Sequence, residues 1–323
     1  MITKISTLEN GNIYTIPLVV KSATARETKA KKPYLALEFY DGTDTINGNY
    51  WDWNSGNIPA TNTILDVTAQ VTEWMGTPQL NVKAMRTNSE LTLANFMPTS
   101  GHDISRVYRD AYALMSSVRD DTLRQIALNI MDELMDKWLK VPAASGVHHA
   151  YVGGTLVHSY SVAKIAEAIA ATMPDANRDL CIVGGMLHDL GKLFTYKLDG
   201  VNITLTDEGQ LYDHIFIGAE FVGNFADSVV DMDDYFAQHK VRLLRHIILS
   251  HHGKLEYGSP VTTKCIEAII VSAADGIDAS AEQIREAARK VPDGLKWTDK
   301  IYTQNNKPHL TPKYVEVVMF PQE

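Results

Sequence analysis

In the second half of this chain, histidine and aspartate recur inside or beside apolar helical patterns. They are His158 in GGTLVHS, His188 and Asp189 in GGMLHDLGK, His214 in YDHIFIG, His251 and His252 in LSHHGKLEYGSP, and Asp275 in SAADGID. Imidazoles and carboxylates hold borderline and hard divalent cations. A carboxylate on an apolar, small-residue helix such as the one carrying Asp275 needs a reason to be there. A fold that packs these helices has to bring their polar positions together, and the pattern reads as a hydrolytic metal centre.

The local readings are specific. Val162, Ile165, Ala166 and Ile169 fall at i, i+3, i+4 and i+7 and predict a helix with His158 in its first turns. The next helix ends in HDLGK, where neighbouring side chains diverge by about 100°, so His188 and Asp189 serve different positions. A carboxylate with two oxygens suits bridging. Gly191 is expected to end that helix in a left-handed conformation, and Lys192 to meet phosphate oxygens as a point charge. Asp213 is read as a helix cap rather than as a partner for His214. His246, among apolar residues, is read as structural, His102 as a loop residue, and Asp278 competes with Asp275 one turn later.

Residues 1–95 have another texture: five β-rich segments separated by Gly, Asn, Asp or Pro. In KPYLALEFYDG, alternation puts Leu35, Leu37 and Phe39 on one face and Tyr34, Glu38 and Tyr40 on the other. Five short strands with a turn region before the fourth suggest an OB-fold, a barrel that commonly stacks single-stranded bases on exposed aromatics. Tyr34, Tyr40, Tyr50, Trp51, Trp53 and Trp74 are the candidates, against the alternative that each is core. Lys21, Arg26, Lys29, Lys31 and Lys32 form a basic run that reads equally as a binding stripe or a solvated loop.

At 323 residues the chain suggests two domains. The expected organisation is a five-stranded OB-like barrel over 1–95, a helical bridge over 96–144, an all-α catalytic domain over 145–291 and a C-terminal extension over 292–323. Asp120 or Asp121 is expected to cap the bridge helix that carries Leu123, Ile126, Ala127, Ile130, Leu134 and Leu139. The net charge of −9 is awkward for a nucleic-acid enzyme, although bound cations and a local basic stripe can coexist with an acidic whole. Cys181 and Cys265 lie in apolar patterns and read as core thiols. No apolar run reaches a membrane span and no signal-peptide core is visible, so the expectation is a cytoplasmic protein without membrane contact.

The ordered series His, His-Asp, further histidines and a late Asp resembles the HD superfamily of metal-dependent phosphohydrolases. That resemblance implies two divalent metal ions: His158, His188, Asp189 and Asp275 on the first, His214, His251 and His252 on the second, and Asp189 between them. It also ranks Asp275 above Asp278, because the late Asp of that superfamily typically follows such an apolar helix. Two metals about 3.5–4 Å apart can clamp a phosphodiester around an attacking hydroxide.

The barrel, the bridge and the segments VPAASGVHHAYVGGTLVHS, HDLGK and SHHGKLEYGSP together resemble a narrower group, the YhaM-type 3′-to-5′ exoribonucleases. Where the group has HHxYxGGLLxHT, this chain has Thr155 and Ser159, neither at a ligand position. The resemblance implies removal of nucleotides from the 3′ end of single-stranded RNA, with single-stranded DNA as a second polymer. Manganese is the first choice of metal, with iron, cobalt or magnesium as alternatives. Asp189 and Lys192 are the catalytic candidates; His148, His149, Lys254, Tyr34, Trp51 and Trp53 are the substrate-contact candidates. Two other readings stand: an HD phosphodiesterase acting on cyclic or small nucleotides, and a non-catalytic nucleic-acid-binding protein. Homo-oligomerisation, with a partner supplying part of the substrate channel, is left open.

Overall fold

The computed structural model describes residues 3–97, 101–144, 149–231, 233–292 and 294–319. The chain divides into two compact units, Met1–Thr99 with Leu198–Asn202, and Ser100–Lys197 with Ile203–Glu323.

In the first unit, β1 (Ile13–Glu27), β2 (Pro33–Tyr40), β3 (Thr45–Tyr50), β4 (Ile64–Trp74) and β5 (Thr77–Thr87) form a closed barrel. The order is β1-β2-β3-β5-β4, and β4 returns to pair with β1; β3 and β5 run parallel and the other pairs antiparallel. This is an OB-like barrel. Leu18, Leu35, Phe39, Val67 and Leu80 fill its interior, as the two-residue alternation of pleated strands requires. A register shift between Val20 and Ser22 bends β1, a device that lets one long strand serve two neighbours.

Two expectations change here. Tyr40 faces away from the interior but is buried in a second cluster with Val19, Ile64, Phe96 and Val201, beneath Leu91, Leu93 and Met97. It is therefore no stacking platform. The basic run is not a loop throughout: Lys21 and Arg26 belong to β1, and only Lys29, Lys31 and Lys32 lie in the turn before β2.

The second unit is helical. Its elements are α1 (Ile104–Ser116), α2 (Asp121–Glu133), α3 (Met135–Trp138), α4 (Gly154–Ala170), α5 (Arg178–Leu187), α6 (Lys192–Thr195), a hairpin of β6 (Tyr196–Asp199) and β7 (Asn202–Leu205), then α7 (Asp207–Val229), α8 (Tyr235–Ser250), α9 (Ile266–Arg289) and α10 (Pro312–Met319). The tip of the hairpin counts with the barrel unit, where the Asn62 side chain donates to the Asp199 carbonyl and accepts from the Val201 N–H. Helix α5 is buried from Asp179 through Leu187, and a helix apolar all round belongs at the centre of a packed layer. The Asp120 side chain caps α2 by accepting from the Leu123 N–H.

The periodic run after Asp121 does not make one helix. Leu134 leaves helical geometry at φ −106° and ψ 16°, and the chain re-enters α3 with Trp138 fully buried. Residues of α1, α2 and α3 share one apolar core with α4, α5, α7, α8 and α9, so these three helices pack as part of the helical unit, whereas Phe96 packs with the barrel. Among the described residues, no helix is long and apolar enough to cross a membrane.

If that shared core is what stabilises the unit, Trp138→Ala should cost about 3–5 kcal/mol in urea unfolding of the full chain. An unchanged unfolding midpoint would show that the 96–144 helices are dispensable to it.

Candidate metal centre

His188 and His251 each cap the C-terminus of a helix, α5 and α8. The last carbonyls of a helix lack intrahelical partners, and these two imidazoles use them. The His188 Nδ1–H donates to the Gly185 carbonyl at 2.8 Å, and the His251 Nδ1–H to the Ile248 carbonyl at 2.7 Å. His252 donates from Nδ1 to the Tyr257 carbonyl at 2.7 Å, in the turn that follows α8. His158, in α4, donates from Nδ1 to Asp278 Oδ2 at 2.7 Å.

His214 is held by its neighbour. Asp213 Oδ1 accepts both the backbone N–H and the Nδ1–H of His214, each at 2.6 Å. Thr206 caps the first stretch of α7, and Asp213 stands at a kink from which the helix restarts at His214. Asp213 sits at φ 59° and ψ 164°, a region that costs a non-glycine residue roughly 1–3 kcal/mol. Asp213 thus serves both readings weighed for it: its carboxylate takes the first N–H of the helix that restarts at His214 and also holds the imidazole.

With a proton on Nδ1, each of these five imidazoles, when neutral, presents a lone pair at Nε2. Four of them, those of His158, His188, His214 and His251, gather around Asp189, which is 1% exposed. Asp189 Oδ2 lies 3.3 Å from His158 Nε2 and 3.4 Å from His188 Nε2; Oδ1 lies 3.3 Å from His214 Nε2 and 3.5 Å from His251 Nε2. Asp275 Oδ1 is 3.2 Å from His158 Nε2 and 3.9 Å from His188 Nε2. His252 groups with His214 and His251, their ligand atoms lying within 4.8 Å of one another. His188, His251 and Asp275 form a further such group, so the two halves of the centre overlap.

Ligands about 2.1 Å from one cation stand roughly 3.0–3.4 Å apart, close to most of these separations. Asp189 Oδ1, His214 Nε2 and His251 Nε2 are fully buried without a hydrogen-bond partner among the described residues. Buried polar atoms are ordinarily satisfied, and a cation at their meeting point would satisfy all three. His158 Nε2 and His188 Nε2 face each other at 3.2 Å, a contact that requires an extra proton or a cation between two lone pairs. The residues present fit divalent metal.

The electrostatics agree. Burial pushes the Asp189 carboxyl up, but Lys192, His188 and His158 hold it well below the usual carboxylate range. Burial disfavours charge on His158, yet its hydrogen bonds to Asp189, Asp275 and Asp278 outweigh that and raise it well above its ordinary value. Burial pushes His214, His251 and His252 down, towards the neutral form a cation needs. Lys192 Nζ lies 2.7 Å from Asp189 Oδ2, so its first role in the fold is to neutralise that carboxylate.

The remaining candidates scatter. His148 lies outside the described residues. His149 is 3% exposed with both ring nitrogens engaged, by Tyr151 and Asp278, which removes it from contact with substrate. Lys254 is exposed and 3.3 Å from Glu256. In the barrel, Tyr34 and Trp51 pair with ring centroids 4.5 Å apart, whereas Trp53 packs against the interior with its Nε1 buried. His246 accepts the Lys264 N–H at Nε2, a structural role.

Comparison with known proteins places this geometry. Residues 155–280 match the HD domain family, so the helical unit carries an HD domain, and with it dependence on divalent metal. The chain is 28% identical over 317 residues to the 3′-5′ exoribonuclease YhaM of Geobacillus sp. (strain WCH70), covering 96% of this chain and 95% of that protein. The solution NMR structure of the second OB-fold domain of replication protein A from Methanococcus maripaludis matches 28% of this chain and 98% of its own, at 21% identity and a TM-score of 0.24. The strand order described above, not that match, is the ground for calling the barrel OB-like.

Gly191 of HDLGK does not end a helix in the left-handed region; it sits at φ −59°. It is glycine because a Cβ would lie 1.9 Å from the His214 carbonyl oxygen and 2.8 Å from the Gly218 nitrogen. Gly191→Ala should therefore destabilise the chain by about 1–3 kcal/mol and weaken Mn2+ binding at least about tenfold by displacing His214. Urea unfolding and Mn2+ titration of the same variant check both, and wild-type values would refute the close approach.

Proposed function

We propose that this chain is a metal-dependent 3′-to-5′ exoribonuclease that releases nucleoside 5′-monophosphates one at a time from single-stranded RNA. Single-stranded DNA is a second polymer substrate and manganese the working metal in this reading. The observation that carries the reaction class is the convergence of four Nε2 atoms, those of His158, His188, His214 and His251, on Asp189, with Asp189 Oδ1, His214 Nε2 and His251 Nε2 buried without a hydrogen bond among the described residues. The near end-to-end similarity to an exoribonuclease supports the polymer and the polarity. The free thiols of Cys181 and Cys265 fit a reducing compartment, and a cytoplasmic location belongs to the same reading.

His158, His188, Asp189 Oδ2 and Asp275 would hold one cation, and His214, His251, His252 and Asp189 Oδ1 another. Bound there, divalent cations polarise a phosphodiester and lower the pKa of water for attack on phosphorus. Asp189 gives each half of the centre one oxygen, and its loss removes a ligand from both. Lys192, 2.7 Å from Asp189 Oδ2, would put a positive charge beside the phosphate. The exposed Lys254 is a further phosphate contact.

The barrel supports a polymer over a small nucleotide. Arg26 pairs in register with Tyr34 across β1 and β2, and the Trp51 ring rests on Tyr34. A cation beside paired aromatics suits a base and its phosphate.

The test is purified protein with Mn2+ and 5′-labelled single-stranded RNA and DNA of one sequence. The wild type should give a descending ladder, and Asp189→Ala should lose activity by roughly a thousandfold or more. Trp51→Ala should raise KM for RNA about tenfold while leaving kcat nearly unchanged, as loss of one stacked base would. An intact RNA in the wild-type lane would overturn the reading.

A further inference from the structure

The Asp278 side of the centre is built more deeply than holding a cation requires. Asp278 follows Asp275 by one turn of α9 and is 4% exposed. Its Oδ2 accepts from His158 Nδ1 at 2.7 Å and from His149 Nε2 at 2.9 Å, and its Oδ1 accepts from the Ser161 hydroxyl. An ionised carboxylate only accepts, so both imidazoles must present an N–H to it. His149 Nδ1 is then an acceptor, and the Tyr151 hydroxyl stands 2.6 Å away as its donor. One proton arrangement satisfies all of these contacts, and it leaves His158 Nε2 facing Asp189 and Asp275.

The loop that delivers His149 is folded for this. The His149 carbonyl accepts the N–H groups of Ala143 and Tyr151, and the Tyr151 carbonyl accepts that of Gly154. Gly154 approaches so closely that a Cβ there would meet the His149 carbonyl oxygen at 2.0 Å. His149, His158 and Asp278 lie close enough to suggest a further cation site. Their contacts of 2.7 and 2.9 Å are nonetheless hydrogen-bond separations, shorter than the roughly 3.0–3.4 Å between ligands of one cation.

We infer that Tyr151, His149 and Asp278 form a buried positioning chain that orients His158 and sets the affinity of the cation shared by His158, His188, Asp189 and Asp275. His149 is then a positioning residue, not a substrate contact. The inference rests on the reading of this site as a divalent-metal centre. Carboxylates behind metal-bound imidazoles fix the ring and raise its basicity, and removing them typically costs about 10- to 100-fold in affinity or activity.

The experiment is Mn2+ titration of the full chain, followed by the electron paramagnetic resonance of the free ion, with RNA kinetics on the same samples. Asp278→Asn should weaken one Mn2+ by roughly 10- to 100-fold and leave KM for RNA at saturating Mn2+ within about twofold of wild type. His149→Ala should shift in the same direction. His149→Gln, whose amide still donates to Asp278, should restore most of the affinity. Should Asp278→Asn fail to fold, the two His149 variants decide the matter alone. Wild-type Mn2+ affinity in Asp278→Asn and His149→Ala would overturn the inference, as would a raised KM for RNA at unchanged Mn2+ affinity. A wild type that binds Mn2+ but leaves RNA intact would overturn only the exoribonuclease reading; one that binds no Mn2+ would overturn both.

Discussion

The centre depends on five hydrogen bonds made on the far sides of five imidazoles. Nδ1 of His158, His188, His214, His251 and His252 is tied to an acceptor in each case. Which ring nitrogen keeps its proton decides which can bind a cation, so these bonds convert histidines into a set of aligned lone pairs. The acceptors have different origins. Two are free carbonyls at the ends of α5 and α8, one is a turn carbonyl after α8, and two are carboxylates, Asp213 and Asp278. The helix ends add something more, because the partial negative charge at a helix C-terminus favours nearby positive charge.

Such a cluster is costly to bury without compensation. Ionised carboxylates and unpaired imidazoles in an apolar core lose hydration that only a partner can replace. Lys192, 2.7 Å from Asp189 Oδ2, supplies positive charge against that carboxylate. Cations would supply it where Asp189 Oδ1, His214 Nε2 and His251 Nε2 face one another without a hydrogen bond. The apolar packing around α5, buried on all sides, holds His188 and Asp189 in place against that repulsion. Asp213 shows the same trade at the backbone level, where a strained residue is retained because it aligns His214.

The barrel meets a different constraint. A chain with a net charge of −9 can still offer polyanions a favourable surface if positive charge is gathered locally. Arg26 pairs in register with Tyr34, and the Trp51 ring lies tilted against Tyr34 with centroids 4.5 Å apart. Trp53 packs against the barrel interior and Tyr40 in the cluster outside it, and packing is the ordinary fate of aromatics in a small barrel.

Much of this was legible in one dimension because strands and helices impose short periods. Alternation over Leu35, Leu37 and Phe39 marked the barrel interior, and the 3.6-residue spacing marked α2 and α4. The ordered series from His158 to Asp275 named the side chains that now surround Asp189. The partners that orient them were not legible, since each is chosen by packing between distant segments. Asp278 meets His158 across 120 residues and His149 across 129, and sequence spacing says nothing about which of two ring nitrogens it will face. Asp275 and Asp278 looked like rivals for one role; on α9 they take the opposite sides of the same imidazole. Gly191 looked like a helix terminator, and only the approach of the His214 backbone shows why a side chain is excluded there. Local pattern thus determined the elements and the chemical inventory, whereas tertiary contact decided protonation, orientation and the division of Asp189 between two halves of the centre, because those depend on distances between segments that no local period encodes.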